Sequence, residues 1–274
     1  MPKVSIIIPV YNVRDRIVDS LDSVLAQTLD EMEVILVDDR GSDDSIAIAR
    51  RHLAGYTGPK RFRFAEMSVN SGPGAARNYG IQQADGEYVA FLDSDDTLAP
   101  DFCQRLYEAS RRADADLAFG SISFDHPDGT STVKHNPAVK DGAFTGAAKR
   151  RYLLRFTSYF TTGLYRRCLL QDDVILFPDT HSAEDSCFLI CALLSARRIA
   201  RDDQAVYHYT LHPTSISRRR DRSRWKNRLA SFRSMVDFAR EHDLYRPYHL
   251  TLRLLVFKKG YLMAAKDYLT NNLF

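Results

Sequence analysis

Apolar strands and amphipathic helices alternate through the first hundred residues, and this alternation restricts the possible folds more than any other feature. The predicted strands are 4–10, 33–39, 61–67 and 88–93, and the predicted helices between them are 16–27, 42–53 and 74–84. Strands that alternate with helices form a parallel sheet with right-handed crossovers. We therefore predict an α/β fold with a Rossmann-like, mostly parallel sheet flanked by helices.

Polar residues follow three of these strands. Tyr11 follows the first strand, Asp39 ends the second, and the acids of 93–96 follow the fourth. Parallel strands place these ends at one edge of the sheet, where open α/β sheets bind their ligands. A single aspartate there would be explained as a cap or a turn residue. A cluster of three favours a bound cation or hydrogen-bond donors, because crowded carboxylates repel one another.

These acids suit a hard divalent cation and a nucleotide. Mg²⁺ or Mn²⁺ is typically held by one or two carboxylates together with water and substrate phosphates. Asp93 and Asp95 can divide the work between a ribose hydroxyl and the metal, and Tyr11 can stack on a base. The glycine-rich turn 72–74 leads into a helix whose N-terminus favours anions. Arg77 on that helix is a candidate phosphate or base contact, although a helix-surface arginine also needs no function.

Five segments occur in an order that resembles the family 2 glycosyltransferases, which are inverting, metal-dependent sugar transferases of the GT-A fold. They are VSIIIPVYN, EVILVDDRGSDDS, NSGPGAARNYG, GEYVAFLDSDD and AEDSCF, and the resemblance covers roughly residues 1–216. Each segment is weak alone, but the ordered set is specific. The resemblance implies a nucleotide-sugar-binding half (1–97) and an acceptor-binding half (98–216). Beyond it, the basic composition and helical pattern predict a basic C-terminal helical extension (217–274).

The resemblance also implies roles for individual residues. Asp185 is the implied catalytic base, and its position at a helix start predicts that the helix dipole keeps it ionised. The implied ligands of Mn²⁺ or Mg²⁺ are Asp95, from the D-x-D motif, and His212. Arg40 stands where a glycine is more usual, which we interpret as a turn variation. The implied nucleotide-sugar-binding residues are Pro9, Tyr11, Asp39 and Asp93, and we predict that Arg77 and Ser94 belong to the same site.

The implied reaction moves a sugar from a UDP-sugar donor to a hydroxyl of a glycan or a lipid-linked saccharide, in cell-surface polysaccharide biosynthesis. The enzyme would be a hexosyl- or N-acetylhexosaminyltransferase. Such a transfer needs one base for the acceptor hydroxyl and one Lewis acid for the leaving diphosphate.

Two other functions stay open. FLDSDDT also matches the strand and D-x-D-x-T pattern of haloacid-dehalogenase-like phosphohydrolases, with Asp93 as nucleophile and Asp95 as acid and base. That motif usually opens its domain, whereas here about 90 residues precede it. The third function is a non-catalytic nucleotide-sugar-binding protein on the same fold.

Composition and charge limit the partners and the compartment. The net charge of +3 is too small to argue for a nucleic-acid partner. The four cysteines include no C-x-x-C pair, and Cys187 and Cys191 lie one turn apart on an apolar helix, which predicts core thiols in a reducing compartment. The N-terminus resembles a strand rather than a signal peptide or a membrane span. We therefore predict a cytoplasmic protein.

The C-terminal region is basic and partly apolar. Residues 217–228 contain seven Lys or Arg and one Asp, with Trp225 among them, and 252–265 combine an apolar stripe with lysines. Two interpretations stay open. Residues 217–265 bind the inner face of the cytoplasmic membrane, as interfacial helices do, or they form a plain helical appendage or a homodimer face.

Overall fold

The computed structural model describes residues 1–157, 159–180, 182–211 and 222–272. In its first part, strands and helices alternate as the sequence predicts. The strands are β1 (Val4–Val10), β2 (Met32–Asp38), β3 (Arg61–Glu66) and β4 (Tyr88–Phe91), and the helices are α1 (Ile17–Leu25), α2 (Ser45–Leu53) and α3 (Gly72–Gln83).

These four strands form a parallel sheet in the order β3-β2-β1-β4. In the register, Val10 of β1 is paired with Asp38 of β2, and Ile7 of β1 is paired with Phe91 of β4. Because the strands are parallel, their carboxyl ends meet at one edge of the sheet. The predicted convergence of the polar strand ends is therefore confirmed.

The second part extends the same sheet with mixed strand directions. Its elements are β5 (Thr97–Leu98), α4 (Phe102–Ala113), β6 (Leu117–Asp125), β7 (Ser131–His135), β8 (Gly142–Ala143), α5 (Gly146–Arg155), β9 (Gly163–Arg166), α6 (Arg167–Asp172), α7 (Glu184–Ser195) and β10 (Arg198–Thr210). β9 is antiparallel to both β4 and β6, whereas β6 and β10 are parallel. The described strands follow the order β3-β2-β1-β4-β9-β6-β10-β5, with β7 beside β6 and β8 beside β10.

β10 is longer than the sequence predicts. The sequence AVYHYTL predicts a strand over 205–211, but the pairing with β6 begins at Ile199 and changes register between Arg201 and Val206. The polar residues of 201–204 lie in this irregular part, so a hydrophobicity pattern does not reveal the start of the strand. The polar segment 126–142 predicts an excursion or a hairpin, and its first part forms a hairpin, because β6 and β7 are antiparallel.

Two hydrophobic cores cover the two faces of the sheet. One face packs against α1, α2 and α4, and the other against α3, α7 and the C-terminal helices. In the second core, Phe91 at the end of β4 lies 5.5 Å from the ring centroids of Phe177 and Phe188, which stack on each other at 4.0 Å. These rings hold the start of α7 beside the end of β4. Cys187 and Cys191 are buried in α7, as predicted.

The C-terminal helices belong to this second core. They are α8 (Arg224–Glu241), α9 (Tyr245–Leu255), a π-helical segment (Val256–Leu262) and α10 (Met263–Asn272). Phe232 of α8 and Leu252 of α9 are buried in the cluster that contains α7. Within the described ranges, no helix is both long and apolar enough to cross a membrane.

Close packing of α3 on β1 gives a test of this architecture. A Cβ atom at Gly80 would lie 2.4 Å from Cγ2 of Ile7, which is fully buried. We expect Gly80→Ala to lower the free energy of unfolding by about 1–3 kcal/mol, because overpacking outweighs the gain in helix propensity. Urea denaturation measures the change.

Gly55→Ala is the control, because nothing lies within 4 Å of a Cβ atom at that position. It should be neutral or should stabilise the fold by up to about 1 kcal/mol. Equal effects of the two substitutions would contradict the packing of α3 on β1.

Candidate active site

The ends of β1, β2 and β4 bring the predicted nucleotide-binding residues to one edge. The backbone N–H of Asp39 donates to the carbonyl of Val10 at 3.0 Å, which joins the ends of β1 and β2. Tyr11, directly after β1, is 44% exposed and available to a ligand. Pro9 is buried within β1, so it contributes to this edge of the sheet as part of the buried strand.

Asp39 is almost fully buried, and the start of α3 depends on its carboxylate. Its two oxygens accept the backbone N–H groups of Ser71 at 2.8 Å and Gly72 at 2.9 Å. Asn70 closes the same loop, because its side-chain amide donates to the carbonyl of Asp39 at 2.9 Å. A carboxylate at the start of a helix satisfies donors that the helix cannot pair internally. Asp39 therefore fixes the position of α3.

Arg40, next to Asp39, adopts a φ of +58°, a region that favours glycine. Its side chain offsets part of this cost, because Nε donates to the carbonyl of Met67 at 2.7 Å and the guanidinium pairs with Glu66. The replacement of the usual glycine is therefore accommodated by contacts to the end of β3.

Arg77 on α3 is buried and lies beside the acid cluster. Its Nη2 donates to Oδ1 of Asp93 at 2.5 Å. The guanidinium also lies over the rings of Phe160, at 4.8 Å, and Phe177, at 5.4 Å. Its Nε is buried without a hydrogen-bond partner. Two residues predicted to bind the nucleotide-sugar, Arg77 and Asp93, are thus in direct contact.

Asp95 is the more open of the two acids in the D-x-D motif. Its side chain is 38% exposed and lies 3.5 Å from Nη1 of Arg16. Ser94, between the two acids, is buried. An exposed carboxylate is the hard oxygen ligand that Mg²⁺ or Mn²⁺ prefers.

The described residues contain no group of three or more His, Cys, Asp or Glu that could hold a metal by itself. The predicted second ligand, His212, lies outside the described residues. Mg²⁺ and Mn²⁺ commonly use one or two carboxylates with substrate phosphates, so Asp95 fits this kind of site better than a cage built from protein ligands.

Asp96 is the third acid of the cluster, and the sequence did not reveal its contacts. It is 1% exposed. Its carboxyl oxygens accept the hydroxyl of Tyr207 at 2.7 Å and the backbone N–H of Thr210 at 2.9 Å. The hydroxyl of Tyr207 in turn accepts the backbone N–H of Asp93 at 3.2 Å. These bonds tie the acid cluster to the end of β10.

The pKa of Asp96 is raised to about 8, first by burial and then by the negative charges of Asp93 and Asp95. Burial and the two neighbouring charges thus favour the protonated form of this carboxyl. Its role in the structure is to hold Tyr207 and the end of β10.

Asp185, the predicted catalytic base, lies in the first turn of α7. Its Oδ1 accepts the backbone N–H of Ser186 at 2.6 Å. The segment before it is held from two sides. Asn78 of α3 exchanges two hydrogen bonds with the backbone of Phe177, and Ser231 of α8 donates to the carbonyl of Ser182 at 2.7 Å.

The pKa of Asp185 differs from the sequence-based expectation. Burial raises it above the ordinary value of an aspartate, although the Ser186 N–H and the charges of Arg77, Arg228 and Lys259 oppose this effect. This direction is opposite to the one that the helix dipole alone predicts, because desolvation disfavours the charged carboxylate.

Arg228 and Lys259 were not among the predicted site residues. They belong to the C-terminal helices, and both act on Asp185 with their positive charge. Arg228 pairs with Asp267 at 2.7 Å, and the Lys259 ammonium lies 3.7 Å from the ring centroid of Phe156. The only sequence signal for them was the basic character of 217–265, which does not reveal which side chains face the core.

Comparison with known proteins identifies the family. The model of glycosyl transferase family 2 matches residues 5–173. A poly(ribitol-phosphate) beta-glucosyltransferase of Bacillus spizizenii is 35% identical over 218 residues, which cover 76% of this chain and 32% of that protein. Poly(ribitol-phosphate) beta-N-acetylglucosaminyltransferase TarS of Staphylococcus aureus is 31% identical over 220 residues, which cover 76% of this chain and 35% of TarS. The chain thus matches about a third of the length of these two relatives.

Solved structures agree with the fold. The crystal structure of S. aureus TarS 1-349 in complex with UDP-GlcNAc has a TM-score of 0.71 and 22% identity, covering 98% of this chain and 79% of that chain. Mannosyltransferase PcManGT from Pyrobaculum calidifontis, in complex with GDP-Man and Mn²⁺, has a TM-score of 0.60 and 19% identity, covering 98% of this chain and 79% of that chain. These likenesses confirm the predicted GT-A fold. Because the family model matches more than half of the chain, this protein belongs to glycosyl transferase family 2, as its motifs predict.

Proposed function

We propose that this glycosyltransferase moves a sugar from a UDP-sugar to a hydroxyl of a glycan or a lipid-linked saccharide, with inversion and with a divalent cation. The observation that carries the proposal is the position of Arg77. Its guanidinium donates a hydrogen bond to Asp93, the predicted ribose contact, and its positive charge lowers the pKa of Asp185, the predicted base. Both predicted residues therefore lie near this one side chain.

A UDP-sugar donor is supported by the arrangement at the strand ends and by TarS, whose structure contains UDP-GlcNAc. Tyr11 is exposed at the end of β1, where it can stack on uracil. Asp39 and Asp93 lie at the two neighbouring strand ends. The acceptors named for the relatives support a hydroxyl-rich cell-surface polymer as the acceptor class.

Asp185 would take the proton of the acceptor hydroxyl as that oxygen attacks the anomeric carbon. A carboxylate with a raised pKa is a stronger base than an ordinary aspartate. Attack from the side opposite the diphosphate gives inversion in a single step, so no second carboxylate is needed as a nucleophile.

Asp95 would hold the cation, with His212 as the second predicted ligand. When bound, Mn²⁺ or Mg²⁺ would neutralise charge on the leaving diphosphate. PcManGT, which contains Mn²⁺ with GDP-Man, supports this proposal. The phosphohydrolase alternative is less well supported, because its nucleophile, Asp93, is paired with Arg77.

The division at residues 97 and 216, the cytoplasmic location, the homodimer and membrane contact through 217–265 stay predictions. The residues proposed for binding and catalysis also stay predictions until variants are measured.

Calorimetric titration of UDP and ADP, with and without Mn²⁺, tests the donor and the cation. We expect UDP to bind more tightly with Mn²⁺ than without it, and more tightly than ADP. Asp95→Ala should remove the effect of Mn²⁺ because it removes the exposed carboxylate. Asp172→Ala, at an exposed acid outside the proposed site, is the matched control. If neither nucleotide binds under any metal condition, the proposed donor site is wrong.

Asp185→Asn tests catalysis separately from binding. With UDP-GlcNAc and Mn²⁺, we expect the rate of UDP release to fall by about 10²–10⁴-fold, the usual contribution of a general base. UDP affinity should stay within a few-fold of that of the unmodified protein. Asp128→Asn, in the turn between β6 and β7, should leave both unchanged. Unaltered turnover in Asp185→Asn would assign the base elsewhere, and no turnover in the unmodified protein would favour the non-catalytic alternative.

The pH dependence follows from the direction of the pKa change at Asp185. The base must be ionised, so turnover should fall as the pH falls through its pKa. Because burial raises that pKa, the midpoint of this acidic limb should lie above the ordinary aspartate value. A pH profile of UDP release that stays flat down to the ordinary value would contradict this role.

Tyr207→Phe tests the link between the acid cluster and β10. Loss of the hydroxyl leaves buried Asp96 without one partner, which should cost about 1–3 kcal/mol of unfolding free energy. It should also weaken Mn²⁺-dependent UDP binding, because the backbone N–H of Asp93 loses its acceptor. Tyr107→Phe removes a similar hydroxyl–carboxylate bond, to Glu87, outside the proposed site. That control should alter stability but leave UDP affinity unchanged, and equal affinity losses in both variants would contradict the proposal.

A further inference from the structure

The last described helix is apolar on two faces. α9, the π-helical segment and α10 follow one another without a break. On the inner face, Leu252, Leu255 and Ala264 are buried. The outer face carries a stripe of large apolar side chains at the spacing of one helix face, with exposed fractions of 37–70%. This outer stripe consists of Leu250, Leu254, Phe257 and Tyr261.

The structure corrects the simple interpretation of the stripe at 252–265. Part of it is core, because Leu252 and Leu255 pack beneath the helix, whereas Phe257 and Tyr261 face outward. A helix that is apolar all round is normally covered on all sides. The side chains of the outer stripe stay 37–70% exposed in the described part of the chain, so the question is what else covers them.

The charges beside the outer stripe are positive. Exposed basic residues flank it at Arg246, Arg253, Lys258 and Lys266. Of the 38 basic and 35 acidic residues of the chain, five and one lie in 244–272, which leaves 33 and 34 elsewhere. The one acid, Asp267, is largely buried and paired with a neighbouring helix. Lys259, the fifth of these basic residues, belongs to the inner face, so the four exposed ones supply the positive charge beside the stripe.

A cleft of about 550 Å³ lies beside the outer stripe, between α8 and α9. Phe257 of the stripe lines it, together with the exposed arginines Arg233, Arg240 and Arg253. Asp237 also lines the cleft and pairs with Arg240 at 3.2 Å. Guanidinium groups around a partly apolar cleft suit a phosphate group attached to a hydrocarbon chain.

We propose that this face docks on an anionic lipid bilayer, with the outer stripe in the interface and the basic residues on lipid phosphates. Interfacial helices combine these two features, a large apolar face and flanking Lys or Arg. A second copy of the chain suits the face less well. A two-fold contact would bring the same basic face of each copy together, and like charges repel. The proposal does not depend on the transferase activity.

Vesicle sedimentation with the full chain tests the proposal. The protein should bind vesicles that contain phosphatidylglycerol more tightly than vesicles of phosphatidylcholine alone, and added salt should weaken the binding. Leu250→Ser/Phe257→Ser/Tyr261→Ser should lower the partition coefficient by about tenfold or more, because three large side chains no longer enter the interface. Val133→Ser/Val174→Ser, at similarly exposed apolar residues elsewhere, should bind like the unmodified protein.

Arg253→Glu/Lys258→Glu tests the charges without changing the outer stripe. It should lower binding to phosphatidylglycerol vesicles by about tenfold or more, and it should alter binding to phosphatidylcholine vesicles little. This variant also keeps the proposal testable if the serine variant does not fold, which thermal unfolding would reveal.

Three results would overturn the proposal. They are no binding to anionic vesicles, equal binding by the serine variant, and equal binding by the charge-reversed variant. Light scattering that shows a dimer, dissolved by the serine substitutions, would assign the face to a second copy and would also overturn it. UDP binding should be unchanged in every variant, so failure of the docking proposal is distinguishable from failure of the proposed function.

Discussion

The arrangement of the site depends on the two hydrogen bonds from the start of α3 to the Asp39 carboxylate. They satisfy a buried carboxylate and two backbone donors at once, which makes the contact costly to break. With its start fixed, α3 carries Arg77 to Asp93 and Asn78 to the backbone of Phe177. One helix thus positions the end of β4 and the segment that leads into α7. Residues far apart in sequence come together because one helix holds them.

The charges of the acid cluster are balanced unequally. Asp93 is paired with Arg77, and burial raises the pKa of Asp96 to about 8, which favours its protonated form. Asp95 is the member whose carboxylate is most open to solvent, and it lies 3.5 Å from Nη1 of Arg16. Of the three acids, Asp95 is therefore the one that a cation from solvent reaches most easily.

The sequence predicted the parts of this structure that depend on local patterns. Apolar runs such as 4–10 and 88–93 located β1 and β4, and their alternation with helices predicted the parallel order. The sequence could not predict that Asp39 accepts backbone N–H groups from α3, because that contact depends on how β2 and α3 pack. The sequence also could not predict the hydrogen bond between Tyr207 and Asp96, because these residues are 111 positions apart and meet only in the folded sheet. The polar residues of 201–204 also hid the first half of β10.

Asp185 shows how a local rule fails when tertiary structure intervenes. A helix-start aspartate should ionise easily, but burial of the Asp185 carboxyl raises its pKa. The positive charges of Arg228 and Lys259, on the C-terminal helices, partly offset this effect because they lower the pKa of Asp185. The C-terminal helices therefore have two faces with different effects. The inner face carries the positive charges that lower the pKa of the proposed base, and the outer face carries the stripe proposed to contact lipid.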